Sequence, residues 1–225
     1  MFIISLYHLK GGVGKTASCV NLAYLAARDG FRALVWDLDP QGAAAFYLGA
    51  APLKKGSTRQ ILEGELRLKK TISRTSYKNL DIVSSDISSR WTEKVLAGED
   101  GSKRLLDRLL RKLKGYDFIF VDCPPGFSSL ADSIFFASDI LLMPVVPTTL
   151  SIRAYESVAA YLLSKEAYRN KLMCFFSMAD TARPLHSALM AEHIGDGVFF
   201  QHYIPSLPEI EDMGGNGLPA AAPSG

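Results

Sequence analysis

At 225 residues the chain is long enough for one large domain, and 48% hydrophobic residues are ample for its core. A net charge of +2 does not mark a nucleic-acid binder by bulk electrostatics. Its three cysteines, Cys19, Cys123 and Cys174, form no C-x-x-C pair and no Cys/His cluster, which argues against a structural zinc site, an Fe–S site and a disulfide framework and points to reduced cytosolic thiols.

The N-terminus passes straight into a strand pattern, so no signal peptide is expected. The most apolar stretch, residues 134–146, is broken by Asp139 and Pro144. It is also shorter than the roughly 20 residues that span a bilayer. Throughout the chain, apolar β-branched runs alternate with helix-period stretches, the βαβ signature of a parallel sheet covered on both faces.

The first strand, over 2–7, runs into Lys10-Gly11-Gly12-Val13-Gly14-Lys15-Thr16, and a helix follows over 15–28. Glycines let backbone N–H groups turn inward on a polyphosphate, and the helix N-terminus adds a positive dipole end. Lys15 can reach the outer phosphates and the Thr16 hydroxyl can ligate Mg²⁺. The run departs from G-x-x-x-x-G-K-[ST]: Leu9 stands where the first glycine belongs, and a second lysine, Lys10, opens the loop.

A second strand over 33–37 ends in Trp36-Asp37-Leu38-Asp39-Pro40-Gln41-Gly42. A carboxylate at the C-terminal end of a strand lies at the sheet edge where α/β folds bind ligands. Helices are expected over 58–62 and 88–96, with a strand over 80–83. The helix expected over 102–114 carries a stripe of Leu105, Leu106, Leu109, Leu110 and Leu113 among six basic residues. The strand over 118–122 then brings Asp122 to its tip, before Cys123-Pro124-Pro125-Gly126, where it can hold a water on Mg²⁺. Cys123 reads as a small buried residue. Helices over 128–137, 150–164 and 184–193 alternate with strands over 140–145, 173–177 and 198–204. Residues 214–225 are small and Gly/Pro/Ala-rich and read as a flexible tail. The expected organisation is one domain over 1–213 followed by that tail.

Two lysines bracketing a GGVG turn form a deviant Walker A box, and by it the chain resembles the ParA/Soj/MinD family of ATPases. Asp37-Leu38-Asp39-Pro40-Gln41-Gly42 is similar to that family's switch I. Residues 116–126 are similar to its Walker B strand and switch II. Met143-Pro144-Val145-Val146-Pro147, residues 177–183 and Tyr203-Ile204-Pro205 match more loosely. The resemblance covers residues 1–213. It implies a doubly wound, mostly parallel α/β sheet flanked by helices, the P-loop NTPase fold, with ATP and Mg²⁺ as cofactors. Nucleotide contacts are implied for Lys10, Gly11, Gly12, Val13, Gly14, Lys15, Thr16 and Ala17, with Met178 and Pro205 at the base. Thr16, Asp37 and, through water, Asp122 are implied around Mg²⁺. Asp39 would position or activate the attacking water. Lys10 would reach the partner's ATP in a sandwich homodimer, acting in trans like an arginine finger.

The resemblance further implies a cytoplasmic, nucleoid-associated protein that binds DNA non-specifically. It would partition or position a plasmid, chromosome or protein assembly, with slow hydrolysis stimulated by a ParB-like or cargo-adaptor partner. Three basic regions could meet DNA: Lys54, Lys55, Arg59, Arg67, Lys69, Lys70, Arg74 and Lys78; the helix over 102–114; and Arg183. One departure cuts against the family's DNA surface, because residues 206–212 are acidic where DNA-binding relatives are basic. No helix-turn-helix segment precedes the P-loop strand, so operator binding is not expected. A MinD-like membrane ATPase would need a C-terminal amphipathic helix that the tail does not supply, so no stable membrane anchor is expected. A biosynthetic ATP-dependent ligase of the same superfamily is the other alternative; the switch I match favours a switch ATPase over it.

Overall fold

The computed structural model describes residues 1–51, 58–86, 102–216 and 219–220. Seven strands, β1 (Phe2–Leu6), β2 (Ala33–Asp37), β3 (Ser73–Arg74), β4 (Leu80–Val83), β5 (Phe118–Asp122), β6 (Ile140–Val145) and β7 (Leu172–Phe176), form one sheet in the order β3-β4-β2-β5-β1-β6-β7. β3 runs antiparallel to β4 and the other pairs are parallel. Around the sheet lie α1 (Lys15–Arg28), α2 (Ala43–Tyr47), α3 (Thr58–Leu62), α4 (Leu105–Leu110), α5 (Ser129–Ala137), α6 (Thr149–Leu163), α7 (Pro184–His193) and α8 (Pro208–Asn216).

The strands are apolar on both faces because both faces are covered. Side chains alternate with a period of two. Ile3, Tyr7, Leu34, Trp36, Ile119, Val121, Leu141 and Met143 therefore share one core with Leu106 and Leu110 of α4, Ile134 and Phe135 of α5, and Ile152 and Val158 of α6. Leu6, Ala33, Val35, Leu80, Ile82 and Phe120 face the other way, toward Cys19, Val20, Ala23 and Ala27 of α1 and Ala44 of α2. Small residues on α1 let it lie close over the centre of the sheet. From β1 the chain moves toward β2 on one side, and from β5 it crosses to β6 on the other. The centre of the sheet is thus a topological switch point.

Several elements differ from expectation. The segment over 198–204 is not a strand. It meets β7 through an isolated Cys174–Phe199 bridge and, further on, through the Ile204 N–H donated to the Phe176 carbonyl at 2.8 Å, and Ala179–Pro205 form another bridge just beyond it. Asp196 Oδ1 accepts the N–H groups of Val198 and Phe199, taking the Val198 donor that a longer ladder with β7 would use, and Pro205 has none to give. The basic helix over 102–114 is confined to Leu105–Leu110, with a 3₁₀ turn before it and the left-handed Gly115 after it. α2 and β3 are short elements not expected from the sequence.

The acidic stretch after Pro205 is the largest correction. It folds as α8, which continues through Met213 to Asn216 across the expected start of the flexible tail. Pro208 suits the first helical position and Glu209 the positive dipole end. Met213 is buried in the α1 core, where its Sδ accepts from Asn21 Nδ2 at 3.3 Å. The helix expected over 88–96 and the basic residues Lys54 and Lys55 lie outside the described residues. Among the described residues, no helix is long and apolar enough to cross a membrane.

If α8 is part of the folded core, Met213→Ala should lower unfolding free energy by about 2 kcal/mol in urea titration. A change within about 0.5 kcal/mol, as for a surface position, would show that α8 is not docked.

Candidate functional site

The register of the three central strands creates the site. Leu6 of β1 and Asp37 of β2 both pair with Asp122 of β5, so the start of the glycine loop and two carboxylates emerge side by side at the C-terminal edge. Gly12 and Gly14 hold φ of 73° and 93°, the left-handed region open to glycine. A Cβ on Gly14 would also stand 3.0 Å from Ser177 Oγ. Val13 is buried beneath the loop. Helix α1 begins at Lys15 with no side-chain cap on its first turn. Its N–H groups therefore face the loop's concavity, which suits an anion.

The two lysines stand in different environments. Lys15 is buried and its Nζ donates to the Lys10 carbonyl at 2.9 Å. Burial lowers its pKa, while Asp122, Cys123 and Asp39 oppose that shift. Lys10 is exposed at the rim.

Thr16 Oγ1 donates to Asp122 Oδ2 at 2.7 Å. The other carboxylate oxygen, Asp122 Oδ1, is buried with no hydrogen-bond partner among the described residues. Desolvation pushes Asp122 up to about 7, the charge of Asp39 adding to it, while the Thr16 hydroxyl and Lys15 oppose it. Asp37 is fully buried and raised well above the usual carboxylate range, by burial first and then by Asp122. An orphaned buried carboxylate oxygen beside a threonine hydroxyl is a donor set that fits a hard divalent cation and its waters. Asp37 serves the neighbouring loop. Its Oδ1 accepts the Asp39 N–H at 3.0 Å and its Oδ2 the Ala44 N–H at 3.2 Å, so it fixes the segment between β2 and α2. Asp39 sits half-buried at the rim, where its Oδ1 accepts the Gln41 N–H at 3.0 Å.

A cleft of about 640 Å³ is lined by Gly11, Gly12, Gly14, Lys15, Thr16, Ala17, Asp39, Pro40, Gln41, Pro124 and Pro125. Beside it an apolar hollow of about 310 Å³ is lined by Ala17, Asn21, Met178, Ile204, Leu207 and Ile210, a size and chemistry suited to a flat heterocycle. Met178 is held at φ 54°, strained for a non-glycine residue. Pro205 does not line the hollow; its neighbours Ile204 and Leu207 do. Arg183 lines neither cavity, and its Nε pairs with Asp180 Oδ2 at 3.1 Å.

Two buried residues of the site were missed by sequence reasoning. Tyr7 Oη donates to the Gly126 carbonyl at 3.0 Å, tying β1 to the loop after β5. His8 Nδ1 accepts the Lys10 N–H at 2.9 Å, and its Nε2 faces Ser151 Oγ at 3.2 Å. The signal available for His8 was a lone polar side chain ending an apolar strand.

The fold and this edge define a P-loop protein built to hold a nucleoside polyphosphate and a divalent cation. A family model described as an AAA domain matches residues 1–173. The chain belongs to this family, within its ParA/Soj group of P-loop ATPases. It is 36% identical over 148 residues to the sporulation initiation inhibitor protein Soj of Bacillus subtilis, covering 64% of this chain and 57% of that protein. It is 28% identical over 222 residues to the chromosome-partitioning ATPase Soj of Treponema pallidum, covering 95% and 86%. The chain spans about half the length of the first curated relatives that it matches. Among solved structures, cobyrinic acid a,c-diamide synthase of Mycobacterium smegmatis with bound ADP and magnesium superposes with a TM-score of 0.80. That likeness, at 23% identity over 92% of this chain and 88% of the other, is one of fold.

His8 generates a pH prediction. Burial, and then the charges of Lys15 and Lys10, lower its pKa from 6.5 to about 4. Between those values the unfolded chain binds a proton that the folded chain refuses. Stability should therefore fall as pH drops from 6.5 toward 4, by up to about 3 kcal/mol. His8→Asn should flatten that slope in urea titrations at pH 7 and 4.5. Parallel slopes in the two proteins would contradict a buried neutral imidazole.

Proposed function

We propose that the protein is a ParA-like ATPase that binds ATP with Mg²⁺ in the cleft. We further propose that it dimerises around two nucleotides, binds DNA non-specifically and positions a cargo whose adaptor stimulates hydrolysis. The observation that carries this reading is the split between the two loop lysines: Lys15 is buried inside the cleft and Lys10 is exposed at its rim. A buried lysine serves the phosphates of its own chain. An exposed one at the same loop is available to a nucleotide held by a second copy.

The Lys15 ammonium exchanges the Lys10 carbonyl for phosphate oxygens when ATP enters. The loop N–H groups and the α1 N-terminus share the remaining phosphate charge. Thr16 and, through water, Asp122 would hold Mg²⁺, which when bound neutralises the developing phosphate charge. Asp39, at the rim, orients the attacking water, and Asp37 holds Asp39 by its backbone. The apolar hollow takes the base. Relatives named as partition proteins support the cargo-positioning part of the reading.

For DNA, the described basic residues are unequal. Arg183 is paired with Asp180, and Lys103 and Arg111 pair with Asp132, Asp107 and Asp139. A polar hollow of about 390 Å³ at the far end of the sheet is lined by Arg32, Arg74 and Lys78, with Asp81 as its acidic member. Asp81 accepts the Tyr116 hydroxyl at 2.7 Å. This hollow is the better phosphate surface, because α8 brings Glu209 to the apolar hollow beside the cleft. The ligase alternative shares the fold, and dimerisation separates it from the reading proposed.

Lys15→Ala should abolish ATP binding. Lys10→Ala should retain ATP affinity within a few-fold but lose the ATP-dependent dimer and, by analogy with trans-acting arginines, on the order of 10³ in rate. Asp39→Ala should accumulate the dimer with little turnover. Light scattering and phosphate release test all three, and a Lys10→Ala protein that dimerises and turns over normally would refute the reading.

The Asp39→Ala dimer should bind duplex DNA with affinity that falls steeply as salt rises. Arg74→Glu with Lys78→Glu should weaken that binding and flatten the salt dependence while sparing the dimer. Unchanged DNA binding in the double variant would remove the far-end hollow from the account.

A further inference from the structure

Lys10 reaches outward from a short backbone segment, so its reach depends on how firmly that peptide is held. Two hydrogen bonds hold it, one on each side. On one side its carbonyl accepts Lys15 Nζ at 2.9 Å. On the other its N–H donates to His8 Nδ1 at 2.9 Å. Since Nδ1 is the acceptor, the proton of a neutral ring sits on Nε2, which points to Ser151 Oγ at 3.2 Å. Ser151 Oγ also accepts the Val146 N–H at 3.1 Å, so the ring is anchored to the junction of β6 and α6. His8 and Ser151 are both buried.

The two restraints on Lys10 differ in how they respond to nucleotide. Phosphate oxygens compete for the Lys15 ammonium, which releases the Lys10 carbonyl. The His8 bond touches no phosphate and persists.

We propose that His8 is a positioning residue for Lys10, holding the lysine's backbone against the β6–α6 junction so that its side chain can meet the nucleotide of a second copy. The inference rests on the role given above to Lys10. A protonated ring could not serve, because it would turn an N–H toward the Lys10 N–H. Burial between two lysines keeps the ring neutral.

Two near-isosteric substitutions separate the two arms of the imidazole. Asparagine Oδ1 hangs from Cγ as Nδ1 does and can accept the Lys10 N–H. The glutamine amide extends toward the Nε2 position and can reach Ser151 instead. A filler of the core would be served equally well, or equally badly, by either.

The test compares His8→Ala, His8→Asn and His8→Gln in nucleotide affinity, ATP-dependent dimerisation by light scattering, and kcat against KM. His8→Ala and His8→Gln should bind a fluorescent ATP analogue within about threefold of wild type, yet lose about tenfold or more in kcat and in dimer affinity; His8→Asn should recover both. Equal rescue by asparagine and glutamine, or a parallel loss of nucleotide binding and dimerisation in all three, would overturn the inference. Should His8→Ala fail to fold, the Asn/Gln pair decides alone, each checked by thermal melting. A wild-type protein that stays monomeric with ATP would sink the function proposed for Lys10 and this inference with it. A wild type that dimerises, with three variants that match it, would sink this inference only.

Discussion

Two carboxylates, Asp37 and Asp122, are forced together at the tips of adjacent parallel strands, fully buried and in register. Burial raises the pKa of both, and the charge of Asp122 raises that of Asp37 further. Asp37 is offset by two backbone N–H groups, which is also how it shapes the loop carrying Asp39. Asp122 is offset by one threonine hydroxyl and keeps an oxygen without a partner. The protein alone leaves this edge electrostatically incomplete, and a divalent cation with its waters completes it. In the function proposed, the covered sheet, the glycine loop and the first turn of α1 all serve to place phosphate oxygens beside that gap.

The same edge divides labour among neighbouring residues of one loop. Lys15 is drawn inward, where desolvation is countered by nearby carboxylates, and it satisfies a loop carbonyl. Lys10 stays in water with its backbone clamped. Tyr7 and His8, consecutive residues at the end of β1, reach in opposite directions. The tyrosine hydroxyl meets the loop after Asp122, and the histidine meets the junction of β6 and α6. The loop after Asp122 and the β6–α6 junction are thereby fastened to the central strand, while Met178 stores backbone strain beside the apolar hollow.

What could be read from the sequence was what is continuous along the chain. The glycine loop, the strand-tip aspartates and helix α1 are local, and their spacing carries their geometry. Strands β2, β4, β5 and β6 were equally legible, because buried parallel strands are short apolar runs. What escaped depends on partners remote in sequence or on competing local bonds. His8 needed Ser151, 143 positions away, to show its role. The stretch after Asp196 is rich in apolar and aromatic residues like a strand, but the Asp196 carboxylate takes its first two N–H groups, those of Val198 and Phe199. Helix α8 looked like an acidic loop because the partners of Met213 lie on α1, far back in the chain.

The most direct test of the account is the magnesium dependence of ATP binding to the wild-type protein and to Thr16→Ala, measured by calorimetry with excess Mg²⁺ or with EDTA. Mg²⁺ should tighten ATP binding to the wild type by about tenfold or more, roughly 1.4 kcal/mol. Thr16→Ala should still bind ATP but lose that gain. Equal wild-type affinity with and without Mg²⁺ would contradict a cation site built on Thr16 and the unpartnered oxygen of Asp122.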